Sequence, residues 1–174
     1  AFDIMLASRC GYSADLSGPV NDRALFHLDN CYLIPNLRAV SYRCKTNTVS
    51  NTAFRGFGGP QGMFSIEYAI EEIAEFLGLD SCEIRQKNFY PKDSLTHYDM
   101  PIGDIIIDPL VRQLRDQSNY AVRKKLIDQF NQENKFLKRG ISLTPVKFGI
   151  SFTATHFNQA GALINIYTCL LYTS

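Results

Sequence analysis

Between Pro60 and about Leu77 the apolar residues Met63, Ile66, Ile70, Ile73 and Leu77 recur three and four positions apart, with Glu67, Glu71, Glu72 and Glu75 around much of the remaining surface. This period predicts an amphipathic helix with a solvated acidic face. Pro60 suits the first helical turn and Gly78 supplies a stop. A second helix follows at once. Asp80 and Glu83 form a variant capping box, Arg85 and Lys87 favour the C-terminal end of the dipole, and Pro91 ends the run just past Phe89. Earlier in the chain, residues 18–29 read as a short helix, with Ser17 or Gly18 as cap, Pro19 at the first position and Val20, Ala24 and Leu25 as a stripe. After Pro35, alternation through Leu37 and Ala39, then Val40, Tyr42 and Cys44, predicts a strand to Lys45 with a slip near Ala39.

Residues 91–104 read as a loop. Residues 106–117 and 119–138 read as two further helices, carried by Leu110, Val111 and Leu114, then Val122, Leu126, Phe130 and Leu137, with Gly140 closing the second. From Ile141 the pattern becomes β, in Ile141–Thr144, Phe148–Phe152 and Ala162–Tyr167. No internal repeat interrupts this order, which predicts an α+β fold of helices and short mixed or antiparallel strands.

Composition narrows the function classes. With 45% hydrophobic and 20% charged residues, the 174-residue chain is ordinary for a globular protein with a fair core. A formal net charge of +1 offers no electrostatic footprint for nucleic acid or an anionic membrane. No apolar run approaches a membrane span, and no signal peptide is visible. The chain begins at Ala1 rather than Met, which leaves room for a missing N-terminal piece. The five cysteines contain no close pair and are expected to be buried, reduced thiols. His27, His97 and His156 lack metal-ligand spacing and are expected to be satisfied core or surface residues.

The densest candidate chemistry is Asn51-Thr52-Ala53-Phe54-Arg55-Gly56-Phe57-Gly58-Gly59-Pro60-Gln61-Gly62. Its glycines permit positive φ and close backbone approach, and Pro60 opens a helix, so free N–H groups point back at whatever the loop holds. The wording of this stretch resembles the molybdopterin-binding region of xanthine dehydrogenases, in the xanthine oxidase family of molybdenum hydroxylases. Asp15–Val20, Asp22–His27, Asp29–Tyr32, Ile34–Asn36, Lys147–Thr153 and Asn158–Leu163 look like the family as well, in family order from about Tyr12 to Thr168.

The resemblance implies a piece of the larger molybdopterin-binding domain over residues 1–168. It implies a parent enzyme that hydroxylates hypoxanthine or xanthine at a molybdenum–molybdopterin centre with oxygen from water, and that passes electrons through 2Fe-2S clusters to FAD on other modules or subunits. By resemblance Arg23 contacts the substrate, Phe57 stacks on its face, Phe152 meets it edge-on and Thr153 offers a hydroxyl. Phe54, Arg55 and Gly56 match the cofactor-binding loop, with the Arg55 N–H facing the molybdenum centre. Gln159 reads as structural. The family's general-base glutamate lies outside the chain, so no catalytic residue is assigned and the segment alone is expected to be inactive. Implied partners are the purine, the rest of the molybdenum domain, the iron–sulfur and flavin modules, and a second copy of the parent as a homodimer. The implied location is the cytoplasm, or the peroxisome in a eukaryote.

Two other readings stand beside this one. An aldehyde oxidase-type hydroxylase usually carries an apolar residue at the Arg23 position. A non-catalytic nucleic-acid-binding module would use Arg55-Gly56-Phe57-Gly58 as the opening of an RNP1-like strand, which Gly59-Pro60 then fails to continue. Cys169–Ser174 departs from the family pattern and reads as a non-native tail.

Overall fold

The computed structural model describes residues 1–151, 156, 158–166 and 171–173. Strand β1 (Phe2–Gly11) is followed by helix α1 (Ser17–Phe26) and strand β2 (Leu37–Lys45). β1 and β2 pair in parallel from Phe2 opposite Leu37 to Arg9 opposite Cys44, with an irregularity before Gly11. Parallel neighbours need a crossover, and α1 provides it. Four helices follow: α2 (Gly59–Leu77), α3 (Ser81–Lys87), α4 (Ile107–Gln117) and α5 (Tyr120–Glu133). Strands β3 (Ile164–Ile166) and β4 (Leu171–Thr173) pair antiparallel, so part of the segment read as a tail lies in a ladder. Cys169, Leu170 and Ser174 lie outside the described residues. The architecture is α+β, as the pattern predicts.

Helix ends follow local chemistry. The Asp80 carboxylate accepts from the Cys82 N–H at 2.8 Å and caps α3. Gly78, in the left-handed region, closes α2 while the Leu79 N–H reaches back to the Ala74 carbonyl at 2.9 Å. α5 stops at Glu133, short of the expected residue 138. Asn134 Nδ2 takes the Phe130 carbonyl at 2.9 Å, and Lys138 Nζ takes those of Asn131 and Asn134. These side chains satisfy the terminal carbonyls and end the helix early.

One core cluster joins Cys31, Tyr32, Ile66, Ile70, Ala74 and Ile84; a second joins Cys82, Val111, Tyr120 and Leu143. α2 packs on α1 at Gly62, where a Cβ would lie 2.1 Å from the Ala24 carbonyl oxygen. The buried stripe of α2 is Gly62, Met63, Ile66, Ile70 and Ala74, whereas Ile73 and Leu77 are exposed. The expected solvated acidic face is corrected at Glu67, whose side chain is 13% exposed, while Glu71 stays half exposed. Arg85, 2% exposed, donates through Nε to Glu67 at 2.7 Å and through a terminal nitrogen to Glu71 at 2.5 Å. Glu67 also accepts from Tyr32 at 2.5 Å and from Asn30 at 2.8 Å.

The β readings at 141–144 and 148–152 are not borne out over the described residues, which form no ladder there. Gly149 and Ser151 bond instead to side chains of Arg23 and His27, and Pro145 and Lys147, between the two runs, bond to Asn30. The strand context for Arg55–Gly58 is absent too: these residues form a turn ahead of α2. Cys10, Cys31, Cys44 and Cys82 are free thiols, and Cys44 is exposed rather than buried. Burial pushes the Cys31 thiol up to about 12, so it stays protonated at neutral pH.

Candidate functional site

The turn before α2 has three consecutive positive φ values: 91° at Gly56, 50° at Phe57 and 96° at Gly58. At Gly58 a Cβ would meet the Val20 carbonyl oxygen of α1 at 1.9 Å, so only glycine lets the turn lie against that helix. Phe57 has no such licence, and a non-glycine residue there carries about 1–3 kcal/mol of strain. Its surroundings hold it: its N–H donates to the Phe54 carbonyl at 2.8 Å, and its ring faces the Arg23 guanidinium. Phe54 is 83% exposed, the Arg55 side chain is exposed, and the Arg55 N–H finds no backbone acceptor among the described residues.

Arg23 projects from α1 to the same place. It is buried, and its guanidinium carbon lies 5.8 Å from the Phe57 ring centroid and 5.5 Å from that of Phe148. This places a permanent cation against two aromatic rings. Its terminal nitrogens donate to the carbonyls of Gly149 and Ser151, and its buried Nε–H has no partner among the described residues. A surface ion pair with Asp22 or Asp29, the bland expectation for Arg23, is not made: Asp22 pairs with Arg43, and Asp29 with Lys147.

His27, one helical turn on from Arg23, touches the same distal segment. Its Nε2 accepts from the Gly149 N–H at 3.1 Å, and its Nδ1 lies 2.8 Å from the Arg23 carbonyl. A nitrogen that accepts carries no proton, so the ring is neutral with its hydrogen on Nδ1. His27 is thus the satisfied core histidine its sequence context suggests. Asn30, fully buried, donates to the Pro145 carbonyl at 2.9 Å and accepts from the Lys147 N–H at 3.0 Å. Asp29 accepts from Lys147 Nζ at 2.6 Å and from the Tyr90 hydroxyl at 2.7 Å. Arg23, His27, Asp29 and Asn30 therefore form a polar ladder along residues 145–151. The i, i+4 spacing of Arg23 and His27 announces one helix face; no local signal announces a partner segment more than a hundred residues away.

Two titrations set an acid limit on this arrangement. Burial lowers the His27 imidazole below its ordinary value, aided by the Arg23 charge and opposed by the bond to the Arg23 carbonyl. Burial alone would raise Asp29, but His97, Lys147 and Tyr90 more than offset it and hold the carboxyl below its usual range. Both folded-state values lie under the unfolded ones, so the unfolded chain binds more protons in acid. The urea midpoint is expected to be flat above about pH 6.5, to fall as His27 titrates in the unfolded state, and to fall again below about pH 4 as Asp29 does. His27→Gln should remove the first decline alone; a flat midpoint down to pH 4 in the unmodified chain would contradict the His27 assignment.

Of the residues singled out from the sequence, the fold brings Arg23 and Phe57 together and places Phe54, Arg55 and Gly56 on the same turn. Phe152 and Thr153 lie outside the described residues; Ser151, just before them, is held by Arg23. No group of three or more His, Cys, Asp or Glu side chains is placed to hold a metal ion among the described residues. A metal carried by its own organic ligand needs no such cage. The Arg55 N–H and the exposed Phe54 beside it fit that kind of outer contact.

An α+β chain with a glycine turn packed on a short helix thus holds a cation of that helix against two aromatic rings. Two molybdopterin cofactor-binding domain models match, one over residues 1–89 and the other over residues 113–169, and the chain belongs to this molybdopterin cofactor-binding family. It is 50% identical over 160 residues to xanthine dehydrogenase of Calliphora vicina and 48% identical over 161 residues to xanthine dehydrogenase/oxidase of Felis catus. In both cases the match spans 92% of this chain but 12% of the relative's length. Among solved structures it resembles aldehyde oxidoreductase from Desulfovibrio gigas, with a TM-score of 0.62 and 26% identity over 77% of this chain and 15% of that one. CO dehydrogenase from Oligotropha carboxidovorans shares the fold, with a TM-score of 0.65 at 19% identity over 75% of this chain and 17% of that one.

Proposed function

We propose that this chain is part of a xanthine dehydrogenase-like molybdenum hydroxylase acting on hypoxanthine and xanthine, and that it supplies one wall of the purine site. The observation that carries the reading is Arg23, a buried cation against Phe57 and Phe148 whose Nε–H has no partner among the described residues. Phe57 offers a ring face to a planar heterocycle. Arg23 orients that heterocycle by donating to a carbonyl or anionic oxygen, which an aldehyde with an apolar ring does not provide. The exposed Phe54–Gly56 turn would hold the molybdenum–pterin group from one side, with the Arg55 amide donating toward it. When bound, that group supplies the two-electron redox chemistry that places oxygen from water on the purine carbon. Phe152 and Thr153 would complete the wall.

The parent would carry the general-base glutamate, 2Fe-2S clusters and FAD on other segments or subunits, and would act as a homodimer. The free thiols Cys10, Cys31, Cys44 and Cys82 suit a reducing compartment, and we place the parent in the cytoplasm, or in the peroxisome of a eukaryote. The test is the full-length protein, purified with its molybdenum content measured and assayed for urate formation from xanthine. Urate formed in proportion to molybdenum supports the reading. Molybdenum-replete protein that turns over aromatic aldehydes and leaves xanthine untouched would overturn it in favour of the aldehyde oxidase type.

A further inference from the structure

The polar ladder has a consequence for the purine wall. We infer that His27 and Asn30 are positioning residues: by holding residues 145–149 against the end of α1, they set the direction of the Arg23 guanidinium between Phe57 and Phe148. The inference rests on the proposed purine-binding role of Arg23. Two terminal nitrogens of Arg23 are anchored on the carbonyls of Gly149 and Ser151. The position of those carbonyls fixes the plane of the guanidinium and so the direction of its Nε–H.

Besides the Arg23 contact itself, Gly149 is held by His27, which accepts the Gly149 N–H while donating to the Arg23 carbonyl. One imidazole therefore spans the backbone of the residue that carries the cation and the backbone that anchors it. Asn30 fixes the segment two steps earlier. Its Nδ2 donates both to Pro145 and to Glu67, and its Oδ1 accepts from Lys147, so both donors and the acceptor oxygen of the amide are engaged. Its φ of 44° is one that asparagine tolerates better than most residues. Glu67 is gripped by Arg85, which ties the ladder to α2 and α3. Phe148 closes the arrangement. Its ring lies 4.9 Å from that of His27 and packs on Gly59, where a Cβ would come within 2.4 Å of it.

The experiment uses the full-length holoenzyme with His27→Leu, His27→Gln and Asn30→Ser. Amide hydrogen exchange over residues 145–151 is read beside kcat/KM for xanthine and for benzaldehyde, at matched molybdenum content. His27→Leu removes the acceptor for Gly149. It is expected to speed exchange there and to lower kcat/KM for xanthine about tenfold, the loss of roughly one hydrogen bond's worth of orientation, with benzaldehyde near wild type. His27→Gln offers a carbonyl oxygen to the same N–H and should restore both protection and most xanthine turnover. Unchanged exchange in His27→Leu, or equal losses on both substrates, would overturn the inference. Should His27→Leu fail to fold, Asn30→Ser, which shortens the reach to Pro145 and Lys147, must show the same split. A wild-type enzyme inactive on xanthine would refute the proposed function instead, and the exchange comparison alone would then decide whether His27 holds the segment.

Discussion

Arg23→Met in the full-length protein is expected to lower kcat/KM for xanthine by about 10- to 150-fold. That range is one charge-assisted hydrogen bond of roughly 1.5–3 kcal/mol converted to a rate ratio. Turnover of an apolar aromatic aldehyde should hold or rise, because it needs no cationic donor and the site no longer contains a buried charge. Methionine keeps apolar bulk between Phe57 and Phe148 and makes favourable sulfur–aromatic contacts, so the wall itself should survive. Stability will not be untouched, since Arg23 is buried and anchors two carbonyls rather than facing a solvated cavity. Gly149 and Ser151 are exposed, however, so their carbonyls return to water and the drop should be about 1 kcal/mol. Parallel losses on both substrates would mean that Arg23 serves the fold or the cofactor instead of substrate choice.

Arg85→Met in this chain should lower the unfolding free energy by about 3–5 kcal/mol, the usual consequence of removing one partner from a buried ion pair. Arg85 is 2% exposed and bonds at once to Glu67, Glu71 and Ser81. Glu71 can turn to solvent, since its side chain is 50% exposed in that pair, but Glu67 is only 13% exposed and would keep a largely buried charge. The double variant Arg85→Met with Glu67→Met should lose much less than the sum of the two single losses. Urea midpoints with an unchanged slope would report this cleanly. A single-variant loss below about 1 kcal/mol would show that the pair behaves like a surface bridge.

Much of the fold was legible because local chemistry and tertiary packing agree. The period of Met63, Ile66 and Ile70 announces α2, Asp80 announces the start of α3, and Gly78 the stop between them. What failed was non-local. Ile141–Thr144 and Phe148–Phe152 alternate like strands, yet among the described residues Gly149 is met by His27 and Arg23, and Asn30 holds Pro145 and Lys147 between the two runs, which no window around residue 145 reveals. Glu67 looked solvated because its partner Arg85 lies on the next helix. The meeting of Arg23 with Phe57 was expected from the family order of motifs. Phe148, the second ring on that cation, was missed because a phenylalanine in a β-like run reads as core.

The most direct measurement is a structure of the full-length protein with xanthine bound. A nitrogen of Arg23 is expected within about 2.7–3.2 Å of a purine oxygen. The Phe57 ring is expected within about 4.5–7 Å of the purine plane, centroid to centroid. A purine seated elsewhere, with Arg23 still bonded only to Gly149 and Ser151, would contradict the substrate-wall assignment and leave Arg23 as a structural clamp.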